Sequence, residues 1–535
     1  MHKCLTIPEL LESIAQWLSS DETDKINSAL FEGGLIPPST TPSDVTPHSL
    51  LSLASTCRAF YEPSMNVIWH TLFSLKPLVK CFPRHVWQEV NNAVVMTIVQ
   101  QPVDGDWDVV LRNAQRVRCI HFDVNGGLSQ DALEILSFYS GGPYLFPHVK
   151  NIHVNLDGDA EDNYPTLLVG PLLEAVSTEN GSDETILALL ERIRDVAGPM
   201  LSISIRNFLP STPAIDEALE TIISHSKHFQ HLTRESQVLL PSTFAHLASM
   251  TALWKLVFYI EDDHHLTKAI DSSISNPFSA LKILSLGCDD LRSSCLLALL
   301  QAMTAPCLSE ISIGLLHRPS PQDLGLLCEA LSSHRNLETV FIYKQQEEEL
   351  GDDNLSEAES IGIKTLRPLL RLSLLQDITI YDIPVRLSSG NILEVARALP
   401  NIRILTLEPN GRQVPEDPPK FKELIHFAEH CPKIEILGLW VDARNVDMDE
   451  GRPGKGLASQ SPILFTPGYS PISDATPVAA LLSDVFPNLL VDTPKGHQLD
   501  FDFETAKRWD FAQALVWRFA AIRKQERSSK NMVST

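Results

Sequence analysis

The sequence predicts an α/β chain in which a short N-terminal module of three helices precedes a solenoid of parallel strands and helices. Three observations lead there. A six-residue pattern, apolar-x-x-apolar-x-apolar, recurs from about residue 115 to 441. Helix-like runs separate its copies. Ahead of them stand three one-sided apolar segments, broken by a Pro/Gly-rich stretch.

The first segment starts at Pro8, whose missing N–H costs nothing in a first turn, and carries Leu10, Leu11, Ile14 and Leu18 at helical spacing. Residues 20 to 47 lose periodicity and hold Gly33-Gly34, Pro37-Pro38, Pro42 and Pro47, the chemistry of a loop or insertion. Periodicity resumes with Ser49 as a cap and Leu50, Leu53, Ala54 and Cys57 on one stripe. A third helix, with its start near Pro63, bears Val67, Ile68, Trp69, Leu72 and Phe73. On periodicity alone two readings stay open: these faces are core against the rest of the chain, or they dock a partner.

The order of residues resembles the F-box, in the split form found in fungal members. Pro8, Glu9, Leu11, Ile14, Leu18, Leu50, Leu53, Cys57, Arg58 and Trp69 stand at positions of that motif. Ile7 departs from its leading Leu, and the 20–47 insertion divides it. The resemblance covers residues 1–75. It implies that these ten residues bind a Skp-type adaptor and, through it, the cullin of a ubiquitin ligase.

In the repeat region the clearest copies are Leu253/Leu256/Phe258, Leu281/Leu284/Leu286, Leu308/Ile311/Ile313, Leu337/Val340/Ile342, Leu375/Ile378/Ile380, Ile402/Leu405/Leu407 and Ile434/Leu437/Leu439. Weaker ones are Val117/Ile120/Phe122, Val149/Ile152/Val154 and Met200/Ile203/Ile205. Most neighbouring copies begin about 27 to 32 residues apart, with helical runs such as 293–303 and 321–331 between them. Strand then helix, repeated, requires right-handed parallel crossovers. No glycine-rich phosphate loop follows any strand, so even stacking is favoured over a doubly wound sheet. The region resembles the irregular leucine-rich repeats of F-box proteins. The Asn usual beyond the strand stands only at Asn410, with Asp289 and Asp442 as stand-ins. The intervals 149–200 and 200–253 are about double, which predicts one degenerate or helix-replaced repeat in each. The widened interval from 337 to 375 holds an acidic run, 345–359, read as a solvated loop or a contact for a basic partner.

Side chains alternate along a strand, so residues beside the second and third apolar positions face away from the core. That column contains Lys255 and, as large aromatics, Tyr259, Phe341, Tyr343, Tyr381 and Trp440. Aromatics are enriched at interface hot spots, which makes these five the candidate substrate-binding residues. The alternative is that neighbouring segments fold over and bury them.

The domain reading is a helical module at 1–75, a solenoid at 76–441, a flexible loop at 442–475 and a helical cap at 476–535. In the cap, 476–490 and 504–527 read as helices, the second with Ala512, Leu515, Val516, Phe519 and Ile522 on one face and a basic end. An open solenoid end needs such cover.

Across 535 residues, a hydrophobic share of 44% and a charged share of 21% describe a globular chain. A net charge of -24 argues against nucleic acid or anionic membrane as a partner. No apolar h-region opens the chain and no apolar run is long enough to span a bilayer, which predicts a cytoplasmic or nuclear protein. Nine cysteines without a C-x-x-C pair predict free, small buried thiols. Neither G-x-S-x-G, Walker A, H-E-x-x-H nor a dinucleotide fingerprint is present. The adjacent His264-His265 would point to different sides of a helix, and His225, His228 and His231 read as a solvated helix face. The expectation is a protein without catalytic residues, cofactor or metal: a substrate-recognition subunit that joins an adaptor to a target protein. The rival is a non-catalytic repeat scaffold whose N-terminal helices only cap the array.

Overall fold

The computed structural model describes residues 8–19, 47–90, 95–122, 128–137, 143–156, 165–207, 212–260, 276–291, 294–303, 305–345, 361–383, 385–407, 417–446, 457, 459, 461–492 and 503–533. The insertion (save Pro47), the acidic run beyond Gln345, His264-His265 and Asn410 lie outside these residues. The chain divides into two compact units, Met1–Gln237 and Val238–Thr535.

The first unit opens with helices Pro8–Ser19, Pro47–Thr56 and Arg58–Ile68, which pack on one another. Cys57 is extended, with φ -161° and ψ 163°, and so separates the second helix from the third. The third helix therefore starts before Pro63, which lies inside it rather than at its start. Strands come next: β1 (Thr71–Leu72), the antiparallel pair β2 (Trp87–Val90) and β3 (Val95–Ile98), then β4 (Cys119–Phe122), β5 (Asn151–Asn155), β6 (Ala175–Glu179), β7 (Ser202–Arg206) and β8 (His231–Val238). β1, β4, β5, β6, β7 and β8 pair in parallel in that order. Helices such as Asp183–Val196 and Pro213–His225 lie between them; the first is capped by Ser182, whose Oγ accepts from Thr185 N–H at 3.2 Å.

β6 and β8 fill the two double intervals, so each holds a degenerate repeat and not helices in its place. Leu173 and Val176 keep the apolar positions of β6, and Phe229 and Leu232 those of β8. The third core position, opposite Ile205 on β7, is Thr178 in one and Arg234 in the other. Arg234 is wholly buried, its Nη2 2.9 Å from Asp216 Oδ1. Burial pushes its guanidinium pKa down, while Asp216 and Asp183 oppose that shift.

In the second unit, β9 (Lys255–Ile260), β10 (Ile283–Cys288), β11 (Glu310–Leu315), β12 (Thr339–Lys344), β13 (Asp377–Tyr381), β14 (Ile404–Leu407), β15 (Ile436–Leu439), β16 (Ile463–Thr466) and β17 (Leu489–Val491) run parallel in sequence order. Two buried apolar rows cross the strands. One runs Leu256, Leu284, Ile311, Val340, Ile378, Leu405 and Leu437; the other runs Phe258, Leu286, Ile313, Ile342, Ile380, Leu407 and Leu439. These are the second and third apolar residues of the sequence pattern.

The strand array does not stop at 441. β16 lies within the stretch expected to be a loop, and β17 within the stretch expected to be helical. β16 lacks the full six-residue pattern and owes its strand character to pairing with β15, whereas β17 carries it as Phe486/Leu489/Val491, a copy beyond the range assigned to the repeats. Helix Phe503–Val533 rests on helix Ala475–Val485 through Trp509, Ala512 and Val516, all buried. Ile522, expected on that face, is 52% exposed. Trp509 donates to Ser470 O at 2.9 Å, and Arg523 Nε lies 3.7 Å from the buried carboxylate of Asp484.

Described cysteines are free; burial pushes the thiols of Cys328 and Cys431 up to about 12. No helix among the described residues is long and apolar enough to cross a membrane.

Candidate functional site

Three surfaces emerge, two in the first unit and one in the second. The N-terminal helices divide their apolar residues between two jobs. Leu11, Ala15, Leu50 and Ala54 are buried and hold the module together. Trp69 is also buried, directly after the third helix, with its backbone N–H donating to Met65 O at 3.0 Å. Leu11, Leu50 and Trp69 are thus core residues rather than surface contacts, because a helix closing a small core must commit one face to it. Ile14 and Arg58 are exposed, Leu53 and Cys57 half-buried. Pro8, Glu9 and Leu18 stand in the first helix, and their side chains lie outside the described residues. The exposed set includes residues that motif matching passed over: Leu10 at 44%, Leu51 at 47% and Tyr61 at 44%. For Leu10 and Leu51 the signal was available, since each neighbours a core position, Leu11 or Leu50, in a helix.

This module is fastened to the array behind it. Arg116 Nη2 donates to Glu62 Oε2 at 2.6 Å, and its Nε donates to Asn66 Oδ1 at 3.2 Å, so two third-helix residues are held by one largely buried guanidinium.

In the second unit the outward column forms a register row. Tyr259 on β9 sits opposite Gly287 on β10, which faces Gly314 on β11, then Tyr343 on β12 and Tyr381 on β13. The two glycines make room for the tyrosines. A Cβ on Gly287 would come 2.5 Å from Tyr259 Cδ2, and one on Gly314 would come 2.8 Å from Tyr343 Oη. Tyr259 Oη donates to Asp289 Oδ1, and Phe341 stacks on Tyr343 with ring centroids 4.8 Å apart. Tyr381 is the most open of the aromatics, at 42%. Trp440 leaves the candidate surface: it comes directly after β15 rather than lying in it and is only 8% exposed. Lys255, outward by strand parity, is buried as well. Beside the column, burial raises the carboxyl pKa of Asp377, although Thr379 Oγ1 donates to its Oδ1 at 3.0 Å.

The corresponding face of the first unit was missed by sequence reasoning, and it is polar. One register row runs Thr71, Cys119, Asn151, Ala175, Ser202 and His231; the next runs His121, His153, Ser177, Ser204 and Thr233. All of these except Thr233, together with Ile120, Ile152 and Val176, line a recess of about 40 Å³. His231 is therefore a buried strand residue and not part of a solvated helix face. Its Nδ1 pairs with Ser202 Oγ at 3.0 Å and its Nε2 with Thr233 Oγ1 at 2.8 Å. His121 and His153 stack with centroids 4.5 Å apart. His153 is pushed down to about 3 by burial first, then by His121 and Arg206, so its imidazole is neutral at physiological pH. His153 Nδ1 and Ser204 Oγ are buried without a hydrogen-bond partner. Such a lining offers hydrogen bonds to an uncharged group and opposes a cation.

Just past β7, Asn207 is buried and bonded to Gly181, which follows β6. Its Nδ2 donates to Gly181 O at 2.6 Å, and its Oδ1 accepts from Gly181 N–H at 3.1 Å.

No known family profile matches the chain, and no curated protein matches it. Among solved structures, the crystal structure of the Rad7 and Elc1 complex in yeast is similar over 78% of this chain and 95% of the matched chain, at 14% identity and a TM-score of 0.36.

Proposed function

We propose that this chain is the substrate-recognition subunit of a Skp/cullin/F-box-type ubiquitin ligase, docking a Skp-type adaptor with its N-terminal helices and a target protein with its repeats. One observation carries the reading: Leu10, Ile14, Leu51 and Tyr61 stay exposed on helices whose other faces already close a core. Apolar side chains at i and i+4 on an exposed helix face suit a partner's groove. The F-box-like order of residues supports the same assignment. The chain itself is not an enzyme in this reading; ubiquitin transfer belongs to other subunits, in the cytoplasm or nucleus.

On the target side, the proposed contacts are Tyr259, Phe341, Tyr343 and Tyr381. The test is co-purification of the full chain with a Skp-type adaptor, beside an Ile14→Asp, Leu51→Asp variant. The variant should keep its melting behaviour and lose about 2 kcal/mol or more of adaptor affinity. Adaptor binding that survives both charges would end the proposal. The scaffold reading draws on the Arg116 clamp, which ties the helices to the array. Under it no adaptor is recovered with either chain.

A further inference from the structure

The helix Ile425–His430 carries the sequence His426-Phe-Ala-Glu429-His430, H-x-x-E-H, the reverse of the zinc signature sought in the sequence. Phe427 is buried and fixes which way the helix faces. Positions i, i+3 and i+4 then share the outer face. His426 Nδ1 is 3.0 Å from Glu429 Oε2, and His430 Nε2 is 3.9 Å from the same oxygen. The imidazoles are near-parallel, at 22°, with centroids 6.5 Å apart. One donor atom from each residue lies within 4.8 Å of the other two.

We propose that His426, Glu429 and His430 form a binding site for a divalent transition-metal ion of the zinc class. Around a tetrahedral ion with bonds of about 2.0–2.1 Å, donor atoms are separated by roughly 3.4 Å. Reaching that from 4.8 Å takes a ring movement of about 1 Å, within the freedom of side chains that are 31–33% exposed. Two imidazole nitrogens and one carboxylate favour Zn²⁺, Co²⁺, Ni²⁺ or Cu²⁺ over Mg²⁺ and Ca²⁺, which prefer all-oxygen shells. Glu429 serves as a ligand here: its Oε2 lies within 4 Å of a ring nitrogen of each histidine. Three protein donors leave a fourth position for water or a partner's side chain. The ion would also join the two ends of a six-residue helix that is too short to be stable by itself.

The experiment uses the full chain stripped of metal by chelation, then titrated with Zn²⁺ by calorimetry and with Co²⁺ by visible absorption. The expected result is one equivalent with tetrahedral Co²⁺ bands, unaffected by excess Mg²⁺. His426→Gln and His430→Gln should each weaken Zn²⁺ binding about tenfold or more, with the metal-free melting temperature unchanged. Retention of wild-type stoichiometry and affinity by the His426→Gln, His430→Gln double variant would overturn the proposal, as would failure of the parent chain to bind an equivalent of either ion.

Discussion

Buried polar side chains decide most of what is particular to the first unit. His153 has its imidazole pKa lowered to about 3, below the ordinary 6.5. The unfolded chain therefore binds a proton that the folded chain refuses between those two values. The stabilising contribution is complete above about pH 6.5 and is lost as pH falls toward 3. Melting the parent and His153→Gln chains from pH 7 to pH 4 should give a shallower decline for the variant; identical slopes would contradict this role for His153. Arg234 shows why such residues hide a repeat. An arginine at a core position breaks apolar periodicity, and its 2.9 Å contact with Asp216 helps explain how that position is filled. The neutral His/Ser recess was equally illegible, since its residues come from β1, β4, β5, β6, β7 and β8 and meet only once those strands are in register.

In the second unit two outward tyrosines, Tyr259 and Tyr343, each lie against a residue without a side chain on an adjacent strand. These residues are Gly287 and Gly314. The two sites differ in what a methyl group would strike. At Gly287 the nearest atom is in the body of the Tyr259 ring, whereas at Gly314 it is the hydroxyl tip of Tyr343, which can swing away. Gly287→Ala should cost about 1–3 kcal/mol and Gly314→Ala less, and both should weaken target binding. Thermal melts and a target-binding assay check the ranking; a Gly287→Ala chain that melts like the parent would refute it. The aromatic column itself was legible from strand parity. Trp440 was misplaced because parity was carried past the end of β15, where the backbone no longer alternates in a ladder.

At the scale of the whole molecule, the N-terminal helices are joined to the strand array of the first unit by Arg116 and by the pairing of Thr71 with Cys119. Removing residues 1–75 would take both contacts away and uncover the edge of β4. The truncated chain should therefore melt several degrees lower and expose apolar surface, measured by dye binding, whether or not an adaptor docks. An unchanged melt would mean that the helices are energetically independent. Surface variants at Ile14 and Leu51 are for this reason the cleaner test of docking. Sequence by itself determined the alternation of strand and helix, the two core rows of the second unit and the amphipathic character of the first helices, because each rests on a local period of 2 or 3.6 residues. Tertiary structure decided the rest: that β6, β8, β16 and β17 join the ladders, that Leu11, Leu50 and Trp69 are core while Leu10, Leu51 and Tyr61 face out, and that distant histidines and serines share one recess. Those outcomes depend on which strand edge or neighbour is available to pair with, a quantity no local period contains.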